Sequence, residues 1–415
     1  MTSTNAPANA PTTVTAPRAL TLPGGAPAAA AWTLSDTALH VNHGSFGAVP
    51  RVAQDHQNAL RARMDSDPVA WFSTLPTRIG TVRREIADFV GAAPEDAALV
   101  PNASAGASVV YSSLPTPRGA EIVVTDHGYG AVTMGAERLA RRVGGTVRTA
   151  HVPLDATPTE AHAAVMDACT SRTRLIVIDH ITSATARFMP VAEISASARE
   201  RGIVTFVDGA HVPGLYSDPL RGLDCDFWVG NLHKFSCAPR GTALLVSRSE
   251  LRDELYPLID SWGAPLRFPE RFDTQGTLDL TSYLATPTST NFIEETWGWE
   301  PVRRYMSDLA DYAEGIVGNA FSERTGQAHR ADVGTPVNAL RLVRLPNGLA
   351  RTHPEADALR DRVVGELNVE AAFTSFGGVG YFRLSTHAYN TAADFEEFVE
   401  RVVPTLCDWA RDADR

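Results

Sequence analysis

Apolar residues in this chain recur at two periods that alternate along most of its length. Helical spacing runs from Arg51 to Arg63 and from Thr77 to Val90, and returns from Pro158 to Ala168 and from Val191 to Arg201. Around these lie short β-branched runs that are apolar at nearly every position: Glu121 to Thr125, Leu175 to Asp179, Ile203 to Val207, Phe227 to Val229 and Thr242 to Val246. A strand apolar on both faces has to be covered on both. Interleaved helices therefore predict a mostly parallel sheet between helical layers, an α/β architecture. Beyond residue 295 the pattern changes to a long helical stretch from Trp297 to Phe321, strands near Asn338 to Arg344 and Gly380 to Ser385, and a last helix from Thr391 to Asp408. This second texture predicts a smaller α+β lobe. The predicted organisation is a disordered tail over 1–31, a segment over 32–55 joining the small domain, a large domain over 56–295 and a small C-terminal domain over 296–415. The tail is Ala, Pro, Thr and Gly with almost no large apolar side chain, too little buriable surface to offset the entropy of ordering.

Charge narrows the partners. A formal balance of −11 over 415 residues argues against a sequence-independent grip on nucleic acid. No apolar run approaches the ~20 residues of a bilayer span, and the amino terminus lacks the basic start and Leu-rich stretch of an export signal. Cys169, Cys225, Cys237 and Cys407 lie far apart without metal-ligand spacing, so neither a disulfide framework nor a metal site is expected. A cytoplasmic protein is the expectation.

One composition figure adds chemistry. Of 37 basic residues a single one, Lys234, is lysine. Coding bias explains the 36 arginines but not the survivor. A guanidinium, with a pKa above ~12, serves wherever a fixed positive charge is wanted; it cannot replace an amine that must lose its proton and attack a carbonyl. Lys234 follows His233 in the turn after the Phe227–Val229 run, and loops at strand carboxyl ends are where open α/β sheets bind ligands. The Ile203–Val207 run ends in Asp208-Gly-Ala-His211. A carboxylate that holds a protonated ring nitrogen and a lysine that forms a Schiff base are the two parts pyridoxal phosphate requires. Alone, Asp208 would read as an Asp-Gly turn and His211 as a polar loop residue.

With these motifs the chain resembles the class V aminotransferase group of fold-type I pyridoxal phosphate enzymes, and within it the isopenicillin N epimerase-like proteins, from about Leu39 to the carboxyl terminus. The resemblance implies pyridoxal 5′-phosphate as cofactor, Asp208 as pyridinium partner, His211 on the ring-hydroxyl side and Lys234 as the Schiff-base lysine beside His233. It implies that Ala103 and Ser104, at the start of a helix after Asn102, hold the phosphate, with Asn231 also touching it; an ordinary helix cap is the plain alternative there. His127 takes the place of the His that stacks on the ring. Arg383, in an apolar strand pattern, takes that of the arginine gripping the substrate α-carboxylate, for which its planar fork is suited. The segment Val41-Asn42-His43-Gly-Ser-Phe46 corresponds to a loop over the site, making Asn42 a substrate contact. Gln275-Gly-Thr277 resembles the loop lent to a neighbouring subunit, which implies a homodimer with shared sites.

The resemblance identifies the cofactor more sharply than the reaction. An amino acid or amino-acid conjugate is the implied small-molecule substrate, in secondary metabolism, with Lys234 taking the α-proton and Tyr129 or His43 as the second proton-transfer group. Tyr129 reads equally as a buried structural Tyr. Epimerisation is the first reading, C–S β-elimination the close alternative, transamination a third. Persulfide chemistry is disfavoured because Ala372 to Gly380 contains no cysteine where desulfurases carry one. A non-catalytic binding relative has no reason to keep Lys234, and a nicotinamide-binding domain lacks a strand leading into G-x-G-x-x-G.

Overall fold

The computed structural model describes residues 15–413. Its strands are β1 (Leu39–His40), β2 (Ala97–Val100), β3 (Glu121–Thr125), β4 (Thr146–Ala150), β5 (Thr173–Asp179), β6 (Val204–Asp208), β7 (Phe227–Asn231), β8 (Ala243–Ser247), β9 (Leu340–Arg344), β10 (Val369–Glu370), β11 (Phe373–Phe376) and β12 (Val379–Ser385). Seven of them form one sheet in the order β2-β8-β7-β6-β5-β3-β4. β4, β3, β5, β6 and β7 run parallel, and β8 is antiparallel to both β7 and β2. This is the fold-type I architecture. The central strands β7 and β8 are buried at every position, as strands covered on both faces must be. β4 lies at the edge and exposes Thr146, Arg148 and Thr149, so it lacks the apolar run that marks its neighbours. Parallel strands finish on one edge of the sheet. The segments after Val100, Thr125, Asp179, Asp208 and Asn231 therefore converge there.

The small domain packs a three-stranded antiparallel sheet, β11-β12-β9, against helix Trp299–Thr325 and the helix ending at Ala413. Leu39 and Val41 join that domain's core beside Leu309, Phe382 and Phe398. β1 pairs with β10 and Asn42 bridges to Ser385, so the N-terminal segment is stitched to the far end of the chain.

Three features differ from the sequence pattern. The helical stretch beginning at Trp297 is interrupted at once: helix Thr281–Thr296 ends, Gly298 adopts φ +80°, and a new helix starts at Trp299. That left-handed backbone favours glycine, and glycine is there. The last helix contains a π turn over Phe398–Val402. Of the tail for which disorder is predicted, residues 1–14 lie outside the described residues. Residues 15–31 instead run along the domain, where Thr21 bridges to Pro27, the Trp297 indole donates to the Thr21 carbonyl at 2.7 Å, and Ala28 is buried in the core with Trp32. A local turn with one aromatic anchor suffices where few large side chains are available. No helix among the described residues is long and apolar enough to cross a membrane.

Candidate active site

The converging strand ends open a cavity of about 310 Å³ lined by Ser45, Asn102, Ala103, Ser104, Tyr129, Asp179, Ser183, Asp208, His211, Asn231, His233, Lys234 and Arg240. Lys234 is 8% exposed, and its Nζ lies 2.9 Å from His211 Nε2. Burial first, and the nearby Arg383 guanidinium second, draw the amine down to about 7 against the opposing pull of Asp208 and Asp179. A buried amine near neutrality is a nucleophile and a base at physiological pH. The turn that carries it is tight: Cys237 N–H donates to the Lys234 carbonyl at 3.0 Å, and Cys237 itself sits at φ +57°. Gly47, at φ +69°, packs so closely over this turn that a Cβ would fall 1.9 Å from the His233 carbonyl oxygen.

Asp208 closes β6. Its Oδ1 accepts the Ala210 N–H at 2.9 Å, while Oδ2 is buried with no partner among the described residues, and burial raises its pKa. His211 faces the Lys234 amine through Nε2, and burial lowers its pKa well below the ordinary imidazole value, which keeps its ring neutral. At the opposite side helix Ala103–Ser113 points its N-terminus at the cavity. Asn102 caps it through the Ala105 N–H at 2.8 Å, and Asn231 accepts the Ala103 N–H at 2.8 Å.

Arg383 is 4% exposed. Its Nη1 donates to the Ser183 carbonyl at 2.7 Å and hydroxyl at 3.1 Å, and its Nη2 to Ser45 Oγ at 2.8 Å and Asn42 Oδ1 at 3.4 Å. No carboxylate pairs with it among the described residues, its Nε has no partner, and burial brings it down to about 10. Asn42 thus acts on Arg383 and Ser45 rather than facing the cavity.

Two further expected site residues, besides Asn42, lie outside the cavity. His43 does not reach the cavity: it is 2% exposed, with Nε2 3.0 Å from the Lys234 carbonyl and Nδ1 3.1 Å from the Tyr389 hydroxyl. His127 does not line the cavity either: Thr185 Oγ1 and the Val152 carbonyl, each at 2.7 Å, hold its two nitrogens, and Phe376 stacks on its ring at 4.2 Å. The aromatic that this segment presents to the cavity is Tyr129, 46% exposed. Thr277 lies on the exposed loop after Gln275, outside the cavity of its own chain. Asp179, absent from the sequence-based candidates, lines the cavity and pairs in register with Asp208 on the neighbouring strand. Like Asp208 it ends an apolar run, which is the signal that could have found it. Ser45, Ser183 and Arg240 carry no such signal.

A family model described as aminotransferase class-V matches residues 73–398. The chain belongs to the class V aminotransferase family. It is 31% identical over 392 residues to isopenicillin N epimerase of Streptomyces clavuligerus, covering 90% of this chain and 95% of that protein. A putative L-cysteine desulfhydrase of Oryza sativa subsp. japonica is 28% identical, with coverage of 89% and 83%. Solved structures share the fold: the cystine C-S lyase C-DES in complex with cysteine persulfide (TM-score 0.73, 18% identity, 90% of this chain and 98% of that one) and apo cysteine desulfurase from Thermococcus onnurineus NA1 (0.72, 18%, 94% and 99%).

The family's cofactor is pyridoxal 5′-phosphate, and the residues present fit it. The unpartnered buried Asp208 Oδ2 is an acceptor that a protonated ring nitrogen would satisfy, Lys234 is a buried near-neutral amine, and a helix N-terminus with the Ser104 hydroxyl suits a phosphate. The protein is a pyridoxal phosphate enzyme of this family.

Proposed function

We propose that this enzyme exchanges the α-proton of an amino acid or amino-acid conjugate, as an epimerase does. Bound pyridoxal phosphate supplies the electron sink for negative charge at the α-carbon. Lys234 takes the proton: its amine is largely free of its own proton above pH 7, and His211 orients it. Arg383, buried without a carboxylate partner among the described residues, holds the substrate carboxylate beside Ser45 and Ser183. Tyr129 returns a proton from its phenol. The observation that carries this reading is that Lys234 and Tyr129 line one cavity, so two groups of different chemistry reach the same substrate. The relatives named isopenicillin N epimerase support it. C–S cleavage is the second reading, favoured by the relative named as a desulfhydrase.

The active unit in this proposal is a homodimer with shared sites. Trp262 is 94% exposed and Leu258, Ile259 and Leu266 are exposed near it; a Cβ on Gly276, next to Thr277, would lie 3.6 Å from Ile259. Exposed apolar side chains thus lie in the segment whose Ile259 meets the loop that would reach a second copy.

Candidate amino acids and their conjugates are incubated with the holoenzyme in deuterium oxide. Solvent label at the α-carbon with inverted configuration is the expected result, and Tyr129→Phe should abolish inversion while retaining washout. Release of a thiol and a keto acid without inversion would replace the epimerase reading with the lyase.

A further inference from the structure

Two consecutive peptide units at the lysine turn are held by imidazoles. The Lys234 carbonyl lies 3.0 Å from His43 Nε2, and the Phe235 carbonyl 3.1 Å from His387 Nε2. A carbonyl oxygen only accepts, so each ring carries its proton at Nε2. The Tyr389 hydroxyl, 3.1 Å from His43 Nδ1, takes up the remaining lone pair of that ring and so pins its tautomer. The two imidazoles stack on one another with centroids 4.1 Å apart and planes at 23°, and both are buried. Burial drives His43 well below the ordinary imidazole range and His387 down to about 4, so neither carries a charge that would push the stacked rings apart.

The two histidines come from opposite ends of the chain. His43 opens the short helix His43–Phe46 in the N-terminal segment, and His387 follows β12 of the small domain. The same N-terminal loop gives its Gly44 N–H to Ser385 Oγ at 2.8 Å. Neither His43 nor His387 lines the cavity.

We propose that His43 and His387 are positioning residues: a pair of neutral, stacked imidazoles that clasps peptide units 234 and 235, fixes the direction in which Lys234 leaves the backbone, and ties that direction to the seating of the small domain. The inference rests on Lys234 being the cofactor lysine. A lysine side chain has four rotatable bonds, and its amine is placed only if the backbone that carries it does not turn. His43, Cys237 and His387 also gather potential metal-ligand atoms within 4.8 Å. Nearly parallel stacked rings, however, send their lone pairs side by side instead of toward a single ion, and both Nε2 protons are committed to carbonyls.

The test uses full-length holoenzyme and reads the rate at which hydroxylamine strips the visible band of the bound cofactor, with melting temperature recorded for each variant. Glutamine can place an N–H close to imidazole Nε2, whereas asparagine and alanine cannot. His387→Gln should therefore stay within about twofold of wild type, while His387→Asn and His387→Ala release the cofactor about tenfold faster, the worth of one lost buried hydrogen bond. His43→Gln and His43→Asn should repeat this split, and Tyr389→Phe should speed release by a smaller factor. If alanine variants do not fold, the glutamine–asparagine comparison decides. Equal rates for glutamine and asparagine at both positions would overturn the clasp, as would one metal ion per purified chain that is lost in Cys237→Ser. A wild-type band that is missing, or that survives Lys234→Met, overturns instead the cofactor assignment on which the inference stands.

Discussion

Replacing Lys234 with Met should stabilise the cofactor-free protein, by an amount that depends on pH. Burial and the Arg383 guanidinium bring the amine from the ordinary 10.5 to about 7, with Asp208 and Asp179 pulling the other way. At about 1.4 kcal/mol per tenfold change in protonation, a folded chain that accommodates this amine carries a penalty on the order of 5 kcal/mol. The sign follows from where each state holds its proton. Below about pH 7 both folded and unfolded amines are protonated and the penalty is full. Between about 7 and 10.5 only the unfolded amine is protonated, so the penalty shrinks as pH rises and is gone once both are neutral. Methionine has similar length, no charge to desolvate and enough flexibility to fill the space. Urea unfolding of apo wild type and Lys234→Met at about pH 6.5, 8 and 9.5 measures the gap. The variant should lead by several kcal/mol at the lowest pH, and the lead should fall by roughly 1.4 kcal/mol per pH unit above 7, or about 2 kcal/mol between pH 8 and 9.5. A gap that does not change with pH, or a variant weaker throughout, would refute the buried, depressed amine.

Asp208→Asn should also stabilise the apo protein, because it removes a buried carboxylate whose Oδ2 has no partner among the described residues, while weakening pyridoxal phosphate binding by at least about tenfold; titration followed by cofactor absorbance and apo unfolding read the two effects. Arg383→Lys keeps a charge but loses the fork that spans Ser183 and Ser45, so KM for an amino acid should rise on the order of 100-fold with the cofactor band intact. Asp273→Asn breaks the buried two-bond ion pair in which Arg83 Nε and Nη2 each lie 3.0 Å from Asp273, and should cost about 3–5 kcal/mol in denaturant unfolding. Trp262→Glu should convert a dimer to a monomer in light scattering if the exposed apolar segment that meets the Thr277 loop is the subunit contact.

Much of the fold is legible in the chain because buried parallel strands are apolar at every position: β5, β6 and β7 stand out as runs, and Asp208 and Asn231 sit at their ends. β4 is not, since an edge strand that exposes Thr146 and Arg148 has no such run. The residues that line the cavity from a strand end or a helix start, Ala103, Ser104, Tyr129, Asp208, His211, Asn231, His233 and Lys234, can be named from the chain. Direction within a loop cannot. His127 and Tyr129 are two residues apart, and which of them faces the cavity is decided by Thr185, Val152 and Phe376, none of which is near in sequence. The same holds for His43, whose partners Lys234 and Tyr389 lie 191 and 346 residues away.

We infer that one amine, that of Lys234, carries the cofactor. Reduction of the holoenzyme with sodium borohydride, followed by peptide mapping, tests it without reference to any substrate. A pyridoxyl group found on Lys234 alone is the predicted result; recovery of unmodified Lys234, or of the group at the N-terminal amine, would contradict it.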